Sequence, residues 1–76
     1  MNPERIILEA LSSAYPRMLR EPVLHADLIN AGHKLSLTEL KLKLRTLENK
    51  AQLMILSSED HTYLKITPDG LSRLAE

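Results

Sequence analysis

The sequence predicts one small α+β domain, in which three helices precede a two-stranded β-hairpin and a short C-terminal helix. Three observations support this prediction. Leucine recurs at helical spacing in the middle of the chain, the hydrophobic period changes to two after residue 51, and proline and glycine stand where elements would end. A chain of 76 residues has room for a single domain, so we assign residues 1–76 to one unit.

The first predicted helix runs from about Pro3 to Tyr15. Asn2 is a suitable N-cap, and Pro3 is a suitable first helical residue. Pro16 ends the helix, because proline disfavours a helical conformation in the residue before it. Apolar residues recur at spacings of three and four and therefore form one face of this helix: Ile7, Leu8, Leu11, Ala14 and Tyr15.

Residues 16–21 are expected to form a connection that folds Met18 and Leu19 onto the core. The second predicted helix then runs from about Pro22 to Ala31. Gly32 follows it, at the position where a left-handed cap is favoured. Four apolar side chains are expected to share the inner side of this helix: Val23, Leu24, Leu28 and Ile29.

The third predicted helix, from about Leu37 to Lys50, has the strongest local signal. Ser36 and Glu39 have the spacing of a capping box, in which each side chain accepts a hydrogen bond from the other's backbone. Leu35 and Leu40 have the spacing of a hydrophobic staple. The helix is expected to present an apolar seam to the core: Leu37, Leu40, Leu44 and Leu47, extended by Ala51.

Two strands are predicted after the third helix, at 52–56 and 62–66, because their hydrophobic period is two. The polar loop at 57–61 has the length of a hairpin connection, with serines as turn residues and Glu59 and Asp60 at the tip. In the second strand the alternation predicts two inward and two outward side chains: Leu64 and Ile66 inward, Tyr63 and Lys65 outward.

A last short helix is predicted to begin at Pro68, with Thr67 as its N-cap and Asp69 near its positive end. Leu71 and Leu74 would form its apolar face. Three helices, of which the last two are joined by a tight glycine turn, followed by a two-stranded wing, give the layout of a winged helix-turn-helix domain.

Two stretches of the second half resemble PadR-like and MarR-like regulators. The segment 44–53, LRTLENKAQL, is similar to the end of their recognition helix and the start of their first wing strand. The segment 63–70, YLKITPDG, resembles the aromatic-x-leucine and Thr-Pro-acidic-Gly pattern that follows their wing. The full-length pattern is also similar to small uncharacterised proteins of Mu-like phages. These resemblances imply a winged helix that binds DNA in transcription regulation.

The chain departs from the regulator pattern at two points. The family usually has glycine where this chain has Ala51, so we expect a different exit from the helix. We also expect none of the additional helices through which those regulators dimerise. The resemblance therefore implies the fold more strongly than it implies sequence-specific repression, because one fold hosts several functions.

Positive charge is concentrated in one part of a chain whose formal net charge is zero. Residues 33–50 carry five basic and two acidic side chains, for +3, whereas residues 1–32 carry −1 and residues 51–76 carry −2. The positive part coincides with the third predicted helix. DNA affinity depends mainly on lysine and arginine near phosphates, so double-stranded DNA is the expected partner.

A helical wheel of the third helix sets polar side chains opposite its leucine seam. Four of them have the chemistry to read base edges: Thr38, Arg45, Thr46 and Asn49. Four lysines are expected to contact phosphates: Lys34, Lys41, Lys43 and Lys50. The alternative for Lys41 and Lys43 is a solvated helix face, since Glu39 and Lys43 have the spacing of a helix-stabilising ion pair.

Leu42 occupies the centre of the face that should be polar. Three interpretations of Leu42 are open. It contacts a thymine methyl group, it anchors a protein partner, or it is a single exposed leucine without function. The predicted wing tip, with Glu59 and Asp60, disfavours DNA contact there, because carboxylates repel phosphates. The alternative function is therefore a protein–protein interaction module on a winged-helix scaffold that does not bind DNA, as a homodimer or with another protein.

Other function classes have no support in the residues. The chain has no cysteine, its three histidines match no zinc spacing, and its two glycines form no phosphate-binding loop, so we expect neither an enzyme nor a metal or other cofactor. No apolar run approaches the roughly 18 residues of a membrane span, and the N-terminus lacks a signal-peptide pattern. We therefore expect a cytoplasmic protein that does not bind membranes.

Overall fold

A computed structural model describes residues 3–75 of the chain. The described residues form an α+β domain with four helices and a three-stranded antiparallel sheet, which confirms the predicted class. The predicted N-cap Asn2 lies outside the described residues. The elements, in chain order, are α1 (Pro3–Ala14), β1 (Leu19–Arg20), α2 (Glu21–Asn30), α3 (Leu37–Asn49), β2 (Leu53–Ser58), β3 (His61–Ile66) and α4 (Pro68–Leu74).

One hydrophobic core joins α1, α2, α3 and the inner face of the sheet. Among the described residues, every fully buried side chain in this core is aliphatic, and no polar or charged side chain is buried with them. Burial of such side chains is the main favourable contribution to folding in a chain this small. The core consists of Ile7, Leu8, Leu11, Leu24, Leu28, Leu40, Leu44, Leu47, Leu53, Leu64 and Ile66.

The sheet contains a short third strand that the sequence pattern does not predict. Residues 16–21 were expected to be a connection, but Leu19 and Arg20 form β1 and pair with Leu64 and Tyr63 of β3. The strand order is therefore β1-β3-β2. A two-residue strand is too short to show a period of two, so only pairing with β3 defines it. Leu19 packs against the core as expected, whereas Met18 is exposed, which corrects the expectation for that residue.

The hairpin strands are longer than predicted, at Leu53–Ser58 and His61–Ile66. Ser57 and Ser58 are strand residues paired with Thr62 and His61, and not turn residues. The loop is therefore only two residues long, and Glu59 and Asp60 form the tip as predicted. Leu64 and Ile66 are buried, which confirms the predicted inner face of β3.

The apolar faces of the helices are narrower than predicted. Leu24 and Leu28 are buried in α2, but Val23 and Ile29 are exposed, and Leu37 is exposed at the start of α3. The two buried residues of α2 are four residues apart and define a stripe along that helix. Val23 and Ile29 each lie roughly 100° to one side of that stripe, where the sheet and the other helices no longer cover them. Tyr15 is exposed as well, because α1 ends one residue before it.

Two helices end in the same hydrogen-bonded motif. At the end of α2 the backbone N–H groups of Gly32 and His33 donate to the carbonyls of Ile29 and Leu28, and Gly32 has φ of 92°. This is a Schellman motif, with glycine at the left-handed position as predicted.

The exit of α3 repeats that geometry without glycine. The N–H groups of Ala51 and Gln52 donate to the carbonyls of Glu48 and Leu47 at 2.9 and 3.0 Å. Ala51 therefore has φ of 60°, a left-handed conformation that disfavours side chains with a Cβ. The expectation that alanine would change the helix exit is wrong, because the backbone keeps the glycine geometry. Ala51 is exposed and does not extend the buried seam.

Within residues 3–75, no helix is long and apolar enough to cross a lipid bilayer.

Candidate nucleic-acid interface

Local hydrogen bonds fix the N-terminus of α3. The hydroxyl of Ser36 accepts from the backbone N–H of Glu39 at 3.1 Å, and the carboxylate of Glu39 accepts from the N–H of Ser36 at 3.3 Å. The predicted capping box is therefore confirmed. It satisfies backbone donors that a helix leaves unpaired, so the helix start is well defined.

A second bond connects α2 to the residue before this cap. The Nε2 atom of His25 lies 2.8 Å from the carbonyl oxygen of Leu35. A carbonyl only accepts, so Nε2 carries the proton in this contact. Because His25 belongs to α2 and Leu35 precedes the cap of α3, the bond joins the two helices across the glycine turn. Leu35 also packs against the core, and Leu40 is buried, as the staple spacing predicts.

The side of α3 opposite its buried seam is open to solvent. We call its residues the exposed α3 face: Thr38, Lys41, Leu42, Arg45 and Asn49, all of which are exposed. Leu42 lies at the centre of this face with 62% of its surface exposed. The buried seam on the other side consists of Leu40, Leu44 and Leu47. No element of the described chain therefore covers the face on which most of the predicted base-reading residues lie.

Two cations of this face border a groove between α3 and the β2–β3 hairpin. Lys41 and Arg45 are one helical turn apart, and neither forms an ion pair with any residue in the described part of the chain. The groove has a volume of about 250 Å³, and one carboxylate, that of Glu21, also borders it. Its remaining lining residues are Leu44, Ile55, Ser57 and Thr62. The groove therefore combines two unpaired cations with two hydroxyl groups.

The other predicted phosphate contacts do not join this surface. Lys43 is half-buried and lies roughly 200° around the helix from Lys41. Lys50 is exposed but its Nζ atom lies 2.8 Å from a carboxylate oxygen of Glu4 in α1. Lys34 is exposed in the turn before α3, beside Leu35. The structure thus separates the predicted cations into two on the exposed α3 face and three elsewhere.

Thr46 is exposed, but its hydroxyl already donates a hydrogen bond within α3. Its Oγ1 atom donates to the carbonyl oxygen of Leu42 at 3.1 Å. This bond is a common one for threonine inside a helix. The side chain therefore retains acceptor capacity and a methyl group for a ligand, and has no spare donor in this arrangement.

A cation outside the predicted site, Arg20, lies near the hairpin tip. The guanidinium of Arg20 donates to Nδ1 of His61 at 3.0 Å, and the ring of His61 contacts that of Tyr63 edge-on at 6.0 Å. Arg20 belongs to β1, so it reaches the hairpin only because β1 pairs with β3. No local pattern predicted this position, since strand pairing brings together residues that are 41 positions apart.

Among residues 3–75, no group of three or more histidine, cysteine or acidic side chains could hold a metal ion. No protein-family model matches the sequence, and no curated protein is significantly similar to it.

Proposed function

We propose that this chain is a winged helix-turn-helix module that binds double-stranded DNA and acts as a small transcriptional regulator in the cytoplasm. In this proposal α2 and α3 form the helix-turn-helix, β2 and β3 form the wing, and α3 enters the major groove. The single observation that carries the proposal is the solvent-open α3 face, on which Lys41 and Arg45 have no ion-pair partner among the described residues.

The residues of the face have complementary roles in this proposal. Arg45 presents a guanidinium that fits the two acceptors of guanine, and Asn49 fits the donor and acceptor of adenine. Thr38 lies in the first turn of α3, at the end that helix-turn-helix proteins direct toward bases. Lys41 and Lys34 would contact phosphates, and they supply the sequence-independent part of the affinity.

The acidic tip restricts how the wing is used. Glu59 and Asp60 would approach phosphates only at an electrostatic cost, so we infer that the wing tip stays outside the groove. Arg20 and Lys65, on the strands behind the tip, carry the positive charge of the hairpin region. DNA contact therefore depends mainly on α3, and a monomer would bind with a Kd of about 10⁻⁴–10⁻⁶ M at physiological salt.

Fluorescence anisotropy with mixed-sequence duplexes at low salt tests the proposal. We expect the wild-type chain to bind, and K41E/R45E to lose most of that binding. The matched control is R17E/K65E, which changes the net charge equally at positions outside the exposed α3 face. A chain that does not bind at low salt, or equal binding by K41E/R45E and the control, would contradict the proposal.

The second candidate is a protein–protein interaction module on the same scaffold, without DNA binding. Leu42 favours it, because a leucine with 62% exposure at the centre of a helix face is suited to anchor a partner. In this case L42E would abolish association with the partner, whereas K41E/R45E would have a smaller effect. If L42E leaves all association unchanged while K41E/R45E removes DNA binding, the second candidate is wrong.

A further inference from the structure

The face of the sheet that points away from the core carries a distinct set of side chains. Leu64 and Ile66 of β3 are buried, so the alternate residues of β3 point to the opposite face. The same alternation holds in β2, where Leu53 is buried, and in β1, where Leu19 packs against the core. Six outward side chains, which we call the outer sheet face, lie outside the core: Arg20, Met54, Leu56, His61, Tyr63 and Lys65.

Strand pairing places most of these side chains in two adjacent rows. Tyr63 is the cross-strand partner of Arg20 on one side and of Leu56 on the other. Two residues further along β3, about 6.6 Å away, Lys65 is the partner of Met54. Met54 and Leu56 are 45% and 39% exposed. The outer sheet face is therefore apolar and accessible along β2, and positively charged along β1 and β3.

Each cation of the outer sheet face lies beside an aromatic ring. The guanidinium of Arg20 donates to Nδ1 of His61, and the His61 ring meets the ring of Tyr63 edge-on. The Nζ atom of Lys65 lies 5.9 Å from the centroid of the Tyr15 ring, a residue that is 43% exposed. The chain has only two tyrosines and no phenylalanine or tryptophan. Both of its tyrosine rings therefore border this one face.

The charge of the outer sheet face is of one sign. None of its six residues is acidic, and neither Arg20 nor Lys65 forms an ion pair with any residue in the range 3–75. The carboxylates of Glu59 and Asp60 are at the hairpin tip, beyond His61 along the chain, so the end away from the tip is the positive one. This face is complementary to a ligand that has both negative charge and flat apolar groups.

We propose that the outer sheet face binds single-stranded nucleic acid. Two bases would stack on the rings of Tyr63 and Tyr15, and phosphates of the same strand would contact Arg20 and Lys65. DNA and RNA share this chemistry, because every base has a π face on which an aromatic side chain can stack. The site shares no residue with the exposed α3 face, so it does not depend on the duplex binding proposed above.

The pairing of rings with cations favours a single strand over the other polyanions. In a duplex the bases are already stacked on one another, so they are not free to stack on a tyrosine. An acidic protein segment would satisfy Arg20 and Lys65 but would not require the two tyrosine rings beside them. Met54 and Leu56 add apolar surface next to Tyr63, where a base or a sugar would rest.

NMR titration of the full chain with oligo(dT) and oligo(U) of about ten nucleotides tests the proposal. We expect binding with a Kd of about 10⁻⁴–10⁻⁵ M at low salt, and amide shifts that concentrate in the three strands. The ring protons of Tyr15 and Tyr63 should shift upfield, because a base stacked on a ring shields them. Preferential binding of oligo(U) would identify RNA as the ligand and preferential binding of oligo(dT) would identify DNA, and either result supports the proposal.

A ring comparison separates stacking from charge. Tyr63→Ala should weaken oligonucleotide binding by about tenfold, because it removes a stacking surface, whereas Tyr63→Phe should change it by less than about twofold. Circular dichroism confirms that both variants are folded. If Tyr63→Ala does not fold, Tyr15→Ala and Tyr15→Phe provide the same comparison at a residue outside the sheet.

A charge comparison locates the site. R20Q/K65Q and K41Q/R45Q each remove two positive charges, from the outer sheet face and from the exposed α3 face respectively. We expect R20Q/K65Q to weaken oligo(dT) binding by about tenfold and K41Q/R45Q to weaken it by less than about threefold. For a duplex the order should be reversed, so the two binding proposals can fail separately.

Four results would overturn the proposal. The first is a wild-type chain that binds neither oligonucleotide at low salt, and the second is binding without an upfield shift of the tyrosine ring protons. The third is an equal loss of oligo(dT) binding in R20Q/K65Q and K41Q/R45Q, or in the alanine and phenylalanine variants of one tyrosine. The fourth is polyglutamate binding to the same face as tightly as oligo(dT), since that result would make an acidic protein segment the ligand.

Discussion

The hydroxyl oxygen of Thr67 lies 2.6 Å from the carbonyl oxygen of Ala51 and donates a hydrogen bond to it. The same hydroxyl accepts from the backbone N–H of Gly70 at 3.1 Å, as the N-cap of α4. One side chain therefore holds the exit of α3 and the start of α4 together. The backbone N–H of Thr67 also donates to the carbonyl of Gln52 at 3.2 Å. Thr67 therefore contacts the residue directly before β2 as well.

Replacing Ala51 with glycine should stabilise the protein. Ala51 has φ of 60°, where a Cβ costs about 1–2 kcal/mol of strain that glycine would relieve. Part of this stabilisation is lost because glycine has greater conformational freedom in the unfolded chain. We expect Ala51→Gly to raise the free energy of unfolding by about 0.5–1 kcal/mol in urea denaturation. Ala26→Gly, in the exposed interior of α2, should lower it by a similar amount. A destabilised Ala51→Gly variant would contradict the left-handed assignment.

Replacing Thr67 with valine should destabilise the protein, because valine keeps the shape and loses both hydroxyl hydrogen bonds. We expect a loss of about 1–2 kcal/mol in the free energy of unfolding. Thr67→Ser keeps the hydroxyl and is the matched control, with an expected change below about 0.5 kcal/mol. Thermal denaturation followed by circular dichroism measures both variants. A loss in Thr67→Ser as large as the loss in Thr67→Val would contradict this prediction, because it would show that the methyl group contributes as much to the junction as the hydroxyl.

Removing the hydrogen bond between α2 and the turn before α3 should also destabilise the fold. His25→Phe keeps a ring of similar size but leaves the Leu35 carbonyl without its donor, so we expect a loss of about 1 kcal/mol in urea denaturation. His33→Phe is the matched substitution, because the His33 side chain has no carbonyl partner of this kind among the described residues. It should change the free energy of unfolding by less than about 0.5 kcal/mol. Similar losses for both would show that the histidine bond contributes little.

The salt dependence of DNA binding should distinguish Lys41 from Lys50, if the proposed function holds. Lys41 is unpaired on the exposed α3 face, so Lys41→Ala should reduce the slope of log K against log salt by about 1. Lys50 contacts Glu4 instead, so Lys50→Ala should change the slope less. Anisotropy titrations at several salt concentrations measure both slopes. A larger effect for Lys50→Ala would show that DNA displaces Glu4 and that Lys50 is a phosphate contact.

The solvent exposure of the candidate site residues was predicted in part. The positions of Thr38, Arg45 and Asn49 on the solvent side follow from the helical period and the leucine seam alone, and the structure confirms that they are exposed. Lys43 was predicted to contact phosphate because it is basic, although the same helical period places it near the leucine seam. The Lys50–Glu4 pair was not predictable, because its partners are 46 residues apart and meet only when α1 packs beside the end of α3.

The sequence by itself determined the features that depend on residues within a few positions of one another. The capping box at Ser36, the glycine exit of α2, the N-cap at Thr67 and the leucine seam are all local, so each leaves a readable pattern. Such signals arise because a helix turn or a tight turn forms its hydrogen bonds with near neighbours.

Tertiary structure decided the features that need a distant partner. Pairing with β3 makes a strand of Leu19 and Arg20, and packing leaves Val23, Ile29 and Leu37 uncovered. Gly70 shows the same dependence, because a Cβ there would collide with the backbone of Gln52, a contact that no local pattern reveals. Burial and strand pairing depend on which surfaces meet in three dimensions, and the spacing of residues along the chain does not specify that meeting.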